Sequence, residues 1–135
     1  MRAERVLIDT SAWILALRPD GPTAARDEVG RLLATSQAVI TGVVMLELLS
    51  GTRSEREYHE LKEELAVLSQ LELTPTLWAR AFRLGYELRR SGLTLPTVDL
   101  LIAALALEYG YLLLHADRHF ELLAQHHPLR TKSLL

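Results

Sequence analysis

Four carboxylates stand in settings where a small globular chain rarely leaves a charge. Asp9 closes the compact apolar run RVLID, and Glu47 interrupts VVMLELL. Asp99 opens the apolar stretch PTVDLLIAALALEYG, and Asp117 follows YLLLH by two residues. A fully buried, unpaired acid is costly enough to shift its pKa or to demand a partner. Each has an ordinary explanation: Asp117 suits a helix N-cap, and Asp99 suits the positive end of a helix. Glu47 could face water from an otherwise buried helix. Asp9 is the weaker cap, because Thr10 and Ser11 could do that job. As a set they imply more. If Asp9 and Asp117 end neighbouring strands, and the helices bearing Glu47 and Asp99 lean over the same edge, the four charges share one crevice and need a cation. The chain has no cysteine, so a metal must be held by oxygen or imidazole. Carboxylates suit a hard divalent ion, Mg2+ or Mn2+. Such an ion polarises a phosphoryl oxygen, lowers the pKa of an attacking water and steadies the leaving oxygen, which is the chemistry of phosphodiester hydrolysis.

These residues must be positioned by strands feeding helices. RVLID (5–9) reads as a strand and TSAWILALR after it as a helix. Pro22 in DGPT opens a helix through AARDEVGRLLAT. AVIT (38–41) is a second strand and GVVMLELLSG (42–51) a short, mostly buried helix stopped by Gly51. SEREYHELKEELAVL (54–68) places Tyr58, Leu61, Leu65 and Leu68 on one stripe of a charged helix. LELT (71–74) is expected to be a third strand, after which Pro75 starts a long helix closed by Gly92. The helix over 96–110 follows, then the strand YLLLH (111–115), a helix over 117–125 and a last strand in LRTKSL. Strands alternating with helices predict an α/β fold, a three-layer α/β/α sandwich around a central parallel sheet. Ligands of such sheets gather outside the carboxyl ends of the strands.

The 135 residues, 49% apolar and 24% charged, are the size and balance of a single globular domain over 1–135. No segment reads as a signal peptide or a membrane span, so the expected location is the cytoplasm. A net charge of −2 argues against a uniformly basic, nucleic-acid-coating surface. It leaves room for a local patch drawn from Arg53, Arg56, Arg89, Arg90 and Arg118, since arginine's planar fork suits phosphate.

At the four acids the sequence resembles the PIN-domain family. VLIDTSAWI is similar to its opening strand, VMLELLSG to its second motif, LPTVDLLIAALA to its third and LLLHADRHF to its fourth. Length and motif order resemble a single-domain VapC-type toxin. The resemblance implies that Asp9, Glu47, Asp99 and Asp117 are the catalytic acids, with Asp9, Asp99 and Asp117 at the metal. It makes Ser11 a polar site neighbour, which with Arg118 is expected to contact substrate. It further implies a Mg2+-dependent ribonuclease, with Mn2+ as a substitute, that acts on RNA, is usually homodimeric and is silenced by a VapB-type antitoxin. The fourth motif departs from the family. His115 stands where Thr or Ser is frequent, and His119 where a second Asp is. His115 is expected to be half buried, and His119 to lie within reach of the crevice as a modifier of the site.

Other acid-based readings fit less well. A haloacid-dehalogenase-like phosphatase wants a second Asp where this chain has Ser11. A receiver domain wants an acid after a middle strand, where TGVV stands, and a late lysine, which here is only Lys132 in the tail. The rival from another class is a PIN-like module that binds RNA or protein without catalysis. The charged helix at 54–68 and the row Trp78, Phe82, Tyr86 are candidate partner surfaces, although a stripe at helical spacing is read first as core.

Overall fold

The computed structural model describes residues 4–135. The apolar runs become the strands β1 (Val6–Ile8), β2 (Ala38–Thr41) and β4 (Leu112–His115), flanked by the edge strands β3 (Ser69–Leu71) and β5 (Thr131–Ser133). All five pair in parallel in the order β3-β2-β1-β4-β5. Leu7 and Ile8 lie beside Leu113 and Leu114, and all four side chains are fully buried. A strand covered on both faces reads as a continuous apolar run. The helices are α1 (Thr10–Leu17), α2 (Thr23–Ala34), α3 (Gly42–Ser50), α4 (Glu55–Ala66), α5 (Pro75–Arg90), α6 (Thr97–Tyr109) and α7 (Arg118–Ala124). They flank the sheet as the outer layers of a three-layer α/β/α sandwich, the architecture expected from the alternation. Among the described residues no helix is long and apolar enough to cross a membrane.

The strand order carries the functional consequence. From β1 the chain builds outward to β2 and β3, then returns through α5 and α6 to place β4 on the other side of β1. The direction of winding reverses between β1 and β4, and at such a reversal the connections leave in opposite directions and open a crevice at the carboxyl edge. Asp9 and Asp117 follow these two strands, so the neighbour relation on which a shared crevice depended is present.

α6 is buried over the unbroken run Leu101–Ala106. It packs closely on α5, where a Cβ on Gly85 would come 3.2 Å from Leu100 Cδ1. Gly110 ends α6 in the left-handed region at φ 67, a conformation open to glycine without a Cβ penalty.

Two expectations need correction. The third strand occupies Ser69–Leu71 and not 71–74: its pairing with β2 ends where Thr41 faces Leu71 and β2 gives way to α3, and by Thr74 the chain is capping α5, accepting from the Leu77 N–H. As an edge strand β3 buries only Leu71, so its exposed Ser69 and Gln70 give no apolar signal. The row Trp78, Phe82 and Tyr86 is not core. These residues are 39%, 69% and 54% exposed, because α5 buries Leu77, Ala81, Leu84 and Leu88 instead.

Candidate metal centre

β1 delivers Asp9 to the carboxyl edge with its backbone extended, and there Asp9 becomes the N-cap of α1. Its Oδ2 accepts from the Ser11 N–H at 3.0 Å and from the Ser11 hydroxyl at 2.5 Å. The capping task falls to Asp9 and not to Thr10 or Ser11, because the strand ends one residue before it. Burial pushes the Asp9 carboxyl above the ordinary carboxylate range, the two Ser11 bonds oppose that, and the charge of Glu47 adds to it. Ser11 Oγ also accepts from the Ala116 N–H at 2.9 Å. One hydroxyl thus ties the β1–α1 junction to the segment linking β4 and α7.

Asp117 is the N-cap of α7, its Oδ1 accepting from the His119 N–H at 2.9 Å. Asp99 projects from the first turn of α6 with 14% of its side chain exposed. Its pKa is pushed up to about 6, first by burial and then by the charges of Asp117 and Asp9, against a hydrogen bond from His119. Glu47 is exposed on α3 and accepts from Thr10 Oγ1 at 2.6 Å. The four acids therefore form an electrostatic series, Glu47 acting on Asp9, and Asp9 and Asp117 on Asp99.

The tightest cluster is Asp99, Asp117 and His119, whose donor atoms all lie within 4.8 Å of one another. Asp9 and Glu47 stand outside that triangle: Asp9 acts on Asp99 through its charge, and Glu47 acts on Asp9. His119 Nδ1 is 3.1 Å from Asp99 Oδ2 and 3.2 Å from Asp117 Oδ1. Facing two carboxylate oxygens, Nδ1 carries a proton and donates. That proton occupies the position between the oxygens that a cation would take.

His115 is fully buried, not half buried as expected. Its Nδ1 accepts from the Asp117 N–H at 3.1 Å, so its Nε2 carries the proton and donates to Glu121 Oε1 at 2.8 Å. The Thr131 hydroxyl, then His115, hold the Glu121 carboxyl below its usual range, and the imidazole lies against the Phe120 ring. His115 is thus a strut beneath the Asp117 backbone. Sequence reasoning missed this, and the available signal was a polar strand-end residue two positions before a capping acid. Arg118, the first residue of α7, is exposed and makes no ion pair among the described residues. Of the expected arginine patch, Arg56 is engaged with Glu60. Arg53 lines a cleft with Glu47, and Arg89 a groove with Thr97, two residues from Asp99.

Comparison with known proteins places this geometry in a family context. A family model described as PIN domain matches residues 6–125. The chain is 36% identical over 124 residues to the VapC ribonuclease Mb1587 of Mycobacterium bovis, covering 89% of this chain and 92% of that protein. It is 33% identical to ribonuclease VapC51 of Mycobacterium tuberculosis, covering 90% and 87%. Among solved structures, DNA-bound VapBC from Salmonella typhimurium shares the fold with a TM-score of 0.80 at 22% identity, over 97% of this chain and 98% of that one.

Proposed function

The chain belongs to the PIN-domain family, as a VapC-type toxin of a toxin–antitoxin system, and from that membership we propose that it is a Mg2+-dependent endoribonuclease, able to use Mn2+, that hydrolyses RNA phosphodiester bonds in the cytoplasm. One observation carries the reading: two acids and an imidazole converge where β1 and β4 lie side by side.

The donor set fits a hard divalent cation. It offers two carboxylates, one imidazole and no sulfur, and the bare charges there are already disfavoured by one another. The donor atoms of Asp99, Asp117 and His119 all lie within 4.8 Å of one another, close enough to face a single cation. Asp99 and Asp117 would hold the cation, with Asp9 adding charge behind them. Once bound it supplies polarisation of a phosphate oxygen and a more acidic water.

The protein's own groups do the rest. Ser11 keeps Asp9 and the β4–α7 connection at fixed separation, and His115 holds the Asp117 backbone. Glu47, on the open side and steadied by Thr10, is the carboxylate free to take a proton from an attacking water. Arg118, beside Asp117 and unpaired among the described residues, takes a phosphate of the RNA, with Arg53 and Arg89 extending the contact along the adjoining clefts. Toxicity of this kind requires restraint, and a VapB-type antitoxin covering the crevice supplies it, on a toxin that pairs as a homodimer.

The test is incubation of the purified protein with total cellular RNA, with the new ends mapped. Discrete cleavage with Mg2+ or Mn2+, abolished by EDTA and by Asp99→Asn in a folded variant, is expected. Intact RNA under every ion, with the metal bound, would leave the non-catalytic binding module as the better reading.

A further inference from the structure

Building on the metal-site reading above, we infer that His119 is itself a ligand of the cation through Nδ1, and that this nitrogen makes the site prefer Mn2+ to Mg2+. His119 lies in the first turn of α7, and its backbone N–H is fixed by the Asp117 cap. Its side chain folds back over the helix start so that Nδ1 faces Asp99 Oδ2 and Asp117 Oδ1 at nearly equal distances, 3.1 and 3.2 Å. One nitrogen is thus centred between the carboxylates of α6 and of the α7 N-cap, where a proton holds the place of the cation. Nε2 has no protein partner among the described residues, and the side chain is 38% exposed. A proton displaced from Nδ1 by a cation can therefore be carried on Nε2 toward water, leaving the Nδ1 lone pair for the ion.

The consequence for metal choice follows from donor chemistry. Mg2+ is small, holds its waters and takes oxygen ligands, whereas Mn2+, a transition-metal ion that also suits oxygen, tolerates a nitrogen donor better than Mg2+ does. A carboxylate at this position would complete an all-oxygen site suited to Mg2+. An imidazole keeps the geometry, removes one negative charge and substitutes a nitrogen, which favours the ion with the higher affinity for nitrogen.

The experiment is pulsed electron paramagnetic resonance on the full-length, metal-free protein loaded with Mn2+, alongside calorimetric titration of Mn2+ and Mg2+. Wild type is expected to show the 14N modulation of a directly bound imidazole. His119→Ala, with a native circular dichroism spectrum, is expected to lose that modulation and to weaken Mn2+ at least about tenfold more than Mg2+. His119→Asp, which returns an oxygen donor, should regain Mg2+ affinity without the nitrogen signal. Bound Mn2+ with no 14N modulation in wild type, a modulation that survives in His119→Ala, or equal weakening of both ions would overturn the inference while leaving the metal-dependent nuclease intact. Failure of wild type to bind either ion would instead remove the metal-site reading on which it rests.

Discussion

Asp99 carries a charge in a place that resists it, and the sign of that resistance can be worked out. Its folded pKa of about 6 lies above the ordinary 3.8. The favourable side is therefore low pH: below about 4 the carboxyl is protonated in folded and unfolded chains alike and costs nothing. As pH rises through 6 the folded, metal-free protein must hold the charge, at a cost on the order of 1–3 kcal/mol. Asp99→Asn is accordingly expected to stabilise the metal-free protein in urea unfolding at pH 7.5, with the gain vanishing near pH 4. A gain independent of pH would contradict the burial argument. Asp117 caps α7 and, on the proposed function, also holds the metal, two tasks that substitution can separate. Asparagine caps a helix about as well as aspartate, so Asp117→Asn should keep stability and lose metal binding. Asp117→Ala should lose metal binding and about 1 kcal/mol besides. Equal thermal midpoints for the two variants would show that the cap contributes nothing.

At the scale of elements, the site depends on the β1–α1 junction and the β4–α7 connection keeping their separation, and Ser11 spans the two. Removing its hydroxyl orphans the Ala116 N–H and withdraws a bond from a buried carboxylate, so Ser11→Ala should cost about 1–3 kcal/mol. It should also weaken cation binding, and an unchanged metal affinity with an unchanged melting curve would refute the strut. This is also where the sequence stops being informative. The apolar runs of β1, β2 and β4 and the unbroken apolar length of α6 announce themselves, because they are buried on every side. The acids were conspicuous for the same reason, as charges in apolar text. β3 slid two residues toward the N-terminus because an edge strand with polar side chains has no period to read. The burial of His115 and the double bond of Ser11 depend on partners brought together by strand pairing, Ser11 and Ala116 lying 105 positions apart. Nothing local encodes them. Trp78, Phe82 and Tyr86 had the right spacing for a core stripe, but Leu77, Ala81, Leu84 and Leu88 have it too, and the more compact aliphatic set won the interior.

The whole molecule places the edge that carries its clustered acids where winding reverses, and leaves an aromatic row exposed along α5. A lone domain that keeps such a face in water is prone to pair, in keeping with the homodimer proposed above. Sedimentation of the wild type should report a dimer, and Phe82→Glu, at a position 69% exposed, should shift it toward monomer with the fold preserved. A wild-type monomer, or a dimer indifferent to the change, would reject this face as the interface. The central claim, that the carboxyl edge between β1 and β4 is a metal centre, is open to a more direct test. Crystals of the protein soaked in Mn2+ can be measured at the manganese edge for anomalous scattering. The account predicts a peak bounded by Asp99 Oδ2, Asp117 Oδ1 and His119 Nδ1. Density elsewhere on the surface, or none at saturating Mn2+, would contradict it.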